Sequence, residues 1–172
     1  GQPALILASG EDVPKNPLPV GKDTLLICAD GGARLARLWG LQPAIIIGDQ
    51  DSLDAETKDF WERRDVPFLK APVHKDETDV ELAVNYALEL QVSSITLVGA
   101  WGSRLDHSLG NLELLYRLAQ EGIANELITE HHRMSTISTN FQGTVRKGSY
   151  VSLLPLSSVV RGVRTNGLLY PL

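Results

Sequence analysis

The strongest constraint in this sequence is a series of short, wholly or mainly apolar segments separated by helical patterns. Residues 4–8, 25–29, 44–47, 66–69 and 95–98 read as strands. A strand that is apolar on both faces has to be covered on both faces, as in a parallel sheet flanked by helices. The intervening segments supply the helices. Residues 33–39 carry Leu35, Leu38 and Trp39 at helical spacing and stop at Gly40. Residues 55–64 are polar and read as a surface helix. Residues 79–90 place Val80, Ala83, Val84, Ala87 and Leu88 on one face. Residues 107–121 carry Leu109, Leu112, Leu115, Tyr116 and Ala119 and end at Gly122. This alternation predicts an open, parallel α/β sheet domain over residues 1–124.

The pattern changes near residue 125. Short β-like runs follow at 126–129, 134–138, 143–145, 150–154 and 159–163, punctuated by Ser, Thr, Gly and Asn, with no helical periodicity. They predict a smaller all-β sandwich domain over residues 125–172. The sequence stops at Leu172, early for two sheets that must cover each other, so this sandwich is expected to be incomplete at its C-terminal end.

Composition narrows the partners. A net charge of −5 argues against nucleic acid, whose backbone demands a basic surface. No apolar run approaches the roughly 18 residues of a membrane span, and no basic-then-apolar leader opens the chain. The expected location is the cytoplasm, with no membrane partner. The single cysteine, Cys28, lies in an apolar run and reads as a buried thiol.

The chemistry lies in aspartates that follow strands or open helices: Asp30, Asp49, Asp51, Asp79 and Asp106. In an open α/β sheet every strand-to-helix loop leaves from the carboxyl edge, so side chains far apart in sequence meet there. One such Asp is most often a helix cap or turn residue. Gly48-Asp49-Gln50-Asp51-Ser52 is different, because two carboxylates directly after an apolar strand concentrate charge that needs a cation. Oxygen donors with few imidazoles suit Mg²⁺, which commonly accompanies nucleotide phosphates. Gly31-Gly32 at a helix start and Gly99-Ala100-Trp101-Gly102-Ser103-Arg104 can bring backbone amides, and in the second case a guanidinium, to phosphate oxygens; turn geometry alone is an equal explanation of the glycines. His107 stands where it could touch substrate or simply occupy a first helical turn. There is no Walker A sequence, no dinucleotide fingerprint, no Cys/His zinc spacing and no nucleophile elbow.

Four stretches in order carry a resemblance: Cys28-Ala29-Asp30-Gly31-Gly32-Ala33, Ile47 through Ser52, Lys75-Asp76-Glu77-Thr78-Asp79-Val80-Glu81-Leu82-Ala83, and Gly102-Ser103-Arg104-Leu105-Asp106-His107-Ser108-Leu109-Gly110-Asn111. Together they resemble the thiamine pyrophosphokinase (thiamine diphosphokinase) family, and Gly167-Leu168-Leu169-Tyr170-Pro171-Leu172 resembles a segment of that family's β domain. The resemblance implies an N-terminal α/β catalytic domain, a C-terminal thiamine-binding β-sandwich and a homodimer with its active site between subunits. It implies diphosphate transfer from Mg-ATP to thiamine, with Asp49, Asp51 and Asp79 handling Mg²⁺ and Asp30 beside them. Asp30, Gly31, Gly32, Ser52, Thr78, Gly102, Arg104 and His107 would contact the nucleotide or substrate, Thr78 and Arg104 through phosphates. Asp106 would lie near the transferring group. Family members continue past the matching C-terminal segment, so part of the thiamine pocket would lie beyond Leu172. Two other readings stay open: a pyrophosphokinase for another hydroxymethyl acceptor such as a pterin, and a non-catalytic nucleotide-binding module.

Overall fold

The computed structural model describes residues 1–49, 53–71 and 77–172. Its elements run β1 (Pro3–Leu7), β2 (Leu25–Ala29), α1 (Gly32–Trp39), β3 (Ile45–Gly48), α2 (Ala55–Glu62), β4 (Phe68–Lys70), α3 (Asp79–Glu89), β5 (Ser94–Val98), α4 (Leu105–Gln120), β6 (Ala124–Ile128) and β7 (Arg133–Met134). They form a seven-stranded sheet of order β4-β3-β2-β1-β5-β6-β7. Every pairing is parallel except the last, β6 with β7. The chain builds outward from β1 to β4, then crosses back through α3 to add β5 on the far side of β1.

The apolar strands are explained by two separate cores. Ala4, Ile6, Ile27, Ile45, Ile47, Ile95, Leu97 and Leu127 pack against Ala83, Val84 and Ala87 of α3 and Leu114, Leu115 and Leu118 of α4. The alternate residues Leu5, Leu7, Leu26, Cys28, Ile46, Val98 and Ile128 face the other way, toward Ala33, Ala36 and Trp39 of α1 and Trp61 of α2. Neighbouring strand residues point to opposite faces, so both faces must be apolar.

Two helical expectations change. The segment after residue 55 is not merely a surface helix: Trp61 is 2% exposed and its indole N–H donates to the Ala33 carbonyl at 2.9 Å. One large aromatic with a satisfied donor anchors an otherwise polar helix. In α4 the buried face is Ser108, Asn111, Leu114, Leu115, Leu118 and Ala119, while Leu109 is exposed. A face containing Ser and Asn does not register as a hydrophobic stripe.

The expected division after residue 124 falls inside the sheet. Residues 124–128 form β6, paired in parallel with β5, and β7 extends the same sheet. Chain contacts divide instead into Gly1–Ser138 and Thr139–Leu172. Asn125 fastens the last segment of the first unit, accepting from the Thr136 N–H at 3.0 Å and donating to the Thr136 carbonyl at 3.1 Å. Ser138 adds a hydroxyl bond to the Ala119 carbonyl at 2.9 Å.

The unit Thr139–Leu172 contains no strand among the described residues, so the expected all-β sandwich is not formed by it. The runs at 143–145, 150–154 and 159–163 have no strand partners. Leu154, Leu169 and Tyr170 are exposed. A few β-prone segments without pairing strands or a covering sheet cannot satisfy their backbone or bury their side chains.

Candidate metal and phosphate site

The backbone at the carboxyl ends of β2 and β3 creates the first part of the site. The Asp30 N–H donates to the Ile47 carbonyl at 2.8 Å, carrying the β2–β3 ladder one residue beyond the strand. Asp30 then turns through a left-handed backbone angle, φ 42°, into α1. Asp tolerates that region better than most residues. Gly48 fits beneath it: a Cβ there would stand 2.9 Å from the Asp30 Cβ. A side chain at 48 would force Asp30 to shift.

Asp79 arrives from a distant part of the chain. Thr78 caps α3, its hydroxyl accepting from the Glu81 N–H at 3.2 Å, and Asp79 is the first helical residue. The result is that Asp30, Asp49 and Asp79 each offer a carboxylate oxygen within 4.8 Å of the other two. Asp30 is only 7% exposed, and its Oδ1 has no hydrogen-bond partner among the described residues. Burial, then the charge of Asp79, then that of Asp49, pushes the Asp30 carboxyl up to about 6. Burial and the nearby Asp49 likewise raise Asp79. An all-oxygen set with a buried, unsatisfied carboxylate atom fits a hard divalent cation. The arrangement is costly without one.

A second group forms around the loop after β5. Arg104 and Asp106 bind each other bidentately, Nε to Oδ1 at 3.1 Å and Nη2 to Oδ2 at 2.5 Å. That pairing holds the Asp106 carboxyl down to about 2. Both side chains are exposed, as is His107, whose Nε2 lies 3.9 Å from Asp106 Oδ2. Thr78, Asp106 and His107 border one groove that runs from the start of α3 along the length of α4, together with Glu81, Asn111 and Arg117. Thr78 adjoins Asp79 in sequence, which links this groove to the acidic cluster.

The glycines have firmer structural duties than expected. Gly31 and Gly32 are buried, and a Cβ on Gly32 would fall 1.9 Å from the Leu7 carbonyl oxygen. Gly32 is therefore needed for α1 to pack against β1. Gly102 is partly buried in the loop before Arg104. Asp51 and Ser52 lie outside the described residues, as do Gln50 and 72–76.

Sequence reasoning missed three contributors. Arg34, in the first turn of α1, is close enough to Asp30 to offset part of its repulsion and pairs with Asp54 at 3.8 Å. Ser108 and Asn111 are buried polar residues on α4. Their signal was present: polar side chains at the helical positions that continue the buried Leu115 and Leu118 stripe.

Comparisons with known proteins converge on one family. The model described as "Thiamin pyrophosphokinase, catalytic domain" matches residues 20–127. A Bacillus subtilis (strain 168) protein named thiamine pyrophosphokinase is 30% identical over 174 residues, covering 97% of this chain and 80% of that protein. Arabidopsis thaliana thiamine pyrophosphokinase 1 is 27% identical, covering 86% of this chain and 64% of its own length. The crystal structure of a Bacillus subtilis thiamine pyrophosphokinase superposes with a TM-score of 0.68 at 32% identity, over 78% of this chain and 64% of that one. A yeast thiamin pyrophosphokinase structure, at 18% identity and a TM-score of 0.57, shares the fold. This chain thus spans less than two thirds of several of the proteins it matches, while the matched part holds the acidic cluster and the loop after β5. The chain belongs to the thiamin pyrophosphokinase family.

Proposed function

We propose that this chain transfers a diphosphate group from ATP to the hydroxyl of thiamine, giving thiamine diphosphate and AMP. The observation that carries the nucleotide half is the convergence of Asp30, Asp49 and Asp79 within 4.8 Å, with one Asp30 oxygen lacking a hydrogen-bond partner among the described residues. Family membership carries the acceptor. No helix among the described residues is long and apolar enough to cross a membrane.

Asp49 and Asp79, with Asp30, would hold Mg²⁺; the sequence neighbour Asp51 belongs to the same proposal. When bound, the cation neutralises charge on the phosphate oxygens and orients the polyphosphate. The thiamine hydroxyl oxygen then bonds to the β-phosphorus, the bond from that phosphorus to the α,β-bridging oxygen breaks, and AMP leaves. Arg104 would leave Asp106 to receive phosphate oxygens, for which its planar fork is suited. Thr78, at the start of α3, and Ser52 would add hydroxyl donors, and the backbone around Gly31, Gly32 and Gly102 would line the phosphates. Positioning and charge neutralisation supply most of the rate. The hydroxyl proton would leave late, to solvent water, so no strong base is required. With its carboxyl near 2, Asp106 is a weak one while Arg104 holds it.

The proposal includes the acceptor side of the site. Residues after 138 would contribute to a β-sandwich that binds thiamine, in a homodimer that shares its sites between subunits. AMP release from Mg-ATP, measured with thiamine and with a hydroxymethyl pterin, tests the activity. Turnover with thiamine alone is expected. Turnover only with the pterin moves the acceptor, and none with either overturns the reading. Light scattering tests the dimer, where a monomer would remove the shared site.

A further inference from the structure

The loop that carries Arg104 is fastened from both sides. On one side it is bound by backbone of the loop after β1. The Gly10 N–H donates to the Gly99 carbonyl at 2.6 Å and the Asp12 N–H to the Trp101 carbonyl at 3.3 Å. On the other side it is bound by two side chains of α4. Asn111 donates its amide to the Ala100 carbonyl at 2.7 Å. The Ser108 hydroxyl accepts from the Gly102 N–H at 3.1 Å and faces the carbonyls of Arg104, at 3.1 Å, and Gly102, at 3.3 Å. Ser108 is 1% exposed and Asn111 is 7% exposed.

These positions have a price in packing. Both lie on the face of α4 that otherwise buries Leu114, Leu115 and Leu118 against the sheet. An apolar residue at either position would suit the core better, unless the loop needs the hydrogen bonds. Leaving the Ala100 carbonyl or Gly102 N–H unsatisfied in that setting is unfavourable, and the loop would shift to find other partners. The residue displaced by such a shift is Arg104, the α4 N-cap, whose carbonyl is itself one of Ser108's acceptors and whose side chain is fully outside this network.

We propose that Ser108 and Asn111 are positioning residues: they fix the loop 99–104 against α4 so that Arg104 is presented to phosphate before the nucleotide arrives. The inference rests on the reading of Arg104 as a phosphate ligand. Neither residue need touch substrate, and their effect passes through Arg104.

A double-mutant cycle tests this, with affinity for a non-hydrolysable Mg-ATP analogue as the readout, so that it stands independently of turnover. Asn111→Ala and Ser108→Ala are each expected to weaken analogue binding roughly tenfold, the scale of one lost buried hydrogen bond. In an Arg104→Ala background the same changes are expected to have little further effect. Mn²⁺ binding by the nucleotide-free protein, which reports the acidic cluster, should stay unchanged. Ser108→Thr, which keeps the hydroxyl, should retain more affinity than Ser108→Ala. Equal losses with and without Arg104, or loss of Mn²⁺ binding in parallel, would show general damage to the fold and overturn the proposal. Unchanged analogue affinity in folded single variants would overturn it as well. If Arg104→Ala alone leaves analogue affinity intact, the phosphate role of Arg104 fails and the positioning role fails with it. If binding follows the expected cycle but AMP is never released from ATP and thiamine, only the proposed reaction fails.

Discussion

Replacing Asp30 by Asn should stabilise the metal-free protein at neutral pH while weakening its hold on Mg²⁺. Asn keeps the size of the side chain and is at ease with a φ of 42°. It removes the charge that Asp49 and Asp79 oppose. The Asp30 carboxyl is raised from the ordinary 3.8 to about 6 in the folded chain. The unfolded chain therefore gives up this proton first as pH rises. Stability from this group is fully present below about pH 4, declines through the interval to about 6, and stays low above it. The full shift corresponds to about 3 kcal/mol at 1.36 kcal/mol per unit. Water at the sheet edge screens part of that, leaving an expected change of about 1–2 kcal/mol. Urea unfolding in EDTA, for wild type and Asp30→Asn at pH 5, 6, 7 and 8, measures it. The variant should gain on wild type as pH rises to 7 and hold that margin at pH 8. Added Mg²⁺ should recover the wild type and do little for the variant. A variant less stable than wild type at pH 8 without metal, or one with undiminished Mg²⁺ stabilisation, would refute the argument that this carboxylate is held at a cost relieved by a cation.

Three further outcomes follow from the same geometry. Asp79→Asn should lower turnover at least about a hundredfold by removing a cation-holding charge at the start of α3, with circular dichroism unchanged. Gly48→Ala brings a methyl to 2.9 Å of the Asp30 Cβ and should weaken Mn²⁺ binding about tenfold in a calorimetric titration, because it moves a ligand rather than deleting one. Cys28 is fully buried and burial pushes its thiol upward, so a thiol reagent should react with it only at the rate of unfolding; rapid labelling of the native protein would contradict the two-faced core.

How much of this was legible depended on whether the signal was local. Residues 4–8, 25–29 and 44–47 announced their strands because each must bury both faces, and Gly40 announced a helix end that it does form in a left-handed conformation. The amphipathic face of α3 was equally readable, since Ala83, Val84 and Ala87 are buried as their spacing implies. What failed was anything decided by a partner. Residues 126–129 look like any β run, and only pairing with β5 assigns Ala124–Ile128 to the first sheet. The runs after 139 have β-like composition but no pairing strands, and composition cannot supply them. In the site, Asp30, Asp49 and Asp79 could be expected at one edge from the chain's order of strands. That Asp30 is buried, left-handed and short of a hydrogen bond could not, because those properties come from Gly48, Ile47 and α3 together.

The position of the acidic cluster follows from how this sheet closes its own switch point. In an open α/β sheet the crevice lies where strand order reverses, here between β1 and β5. That crevice is occupied by the chain: the Ala8 N–H donates to the Val98 carbonyl at 2.7 Å, and Gly10 and Asp12 continue the pattern against Gly99 and Trp101. The proposed ligand would therefore sit along the carboxyl edge toward β2 and β3, where Asp30 and Asp49 stand. The same reversal requires α3 to cross back over β3, β2 and β1. Its first residue, Asp79, is laid against the other two carboxylates as a direct consequence. One topological event thus closes one site and builds another. It also separates two kinds of charge. The carboxylates gather over β2 and β3, while Arg104 emerges from the closed β5 loop already paired with Asp106. An exposed ion pair of this kind contributes little stability. A polyphosphate carrying several negative charges can displace Asp106 from Arg104 at small cost, so the pair keeps the guanidinium extended without competing strongly for it.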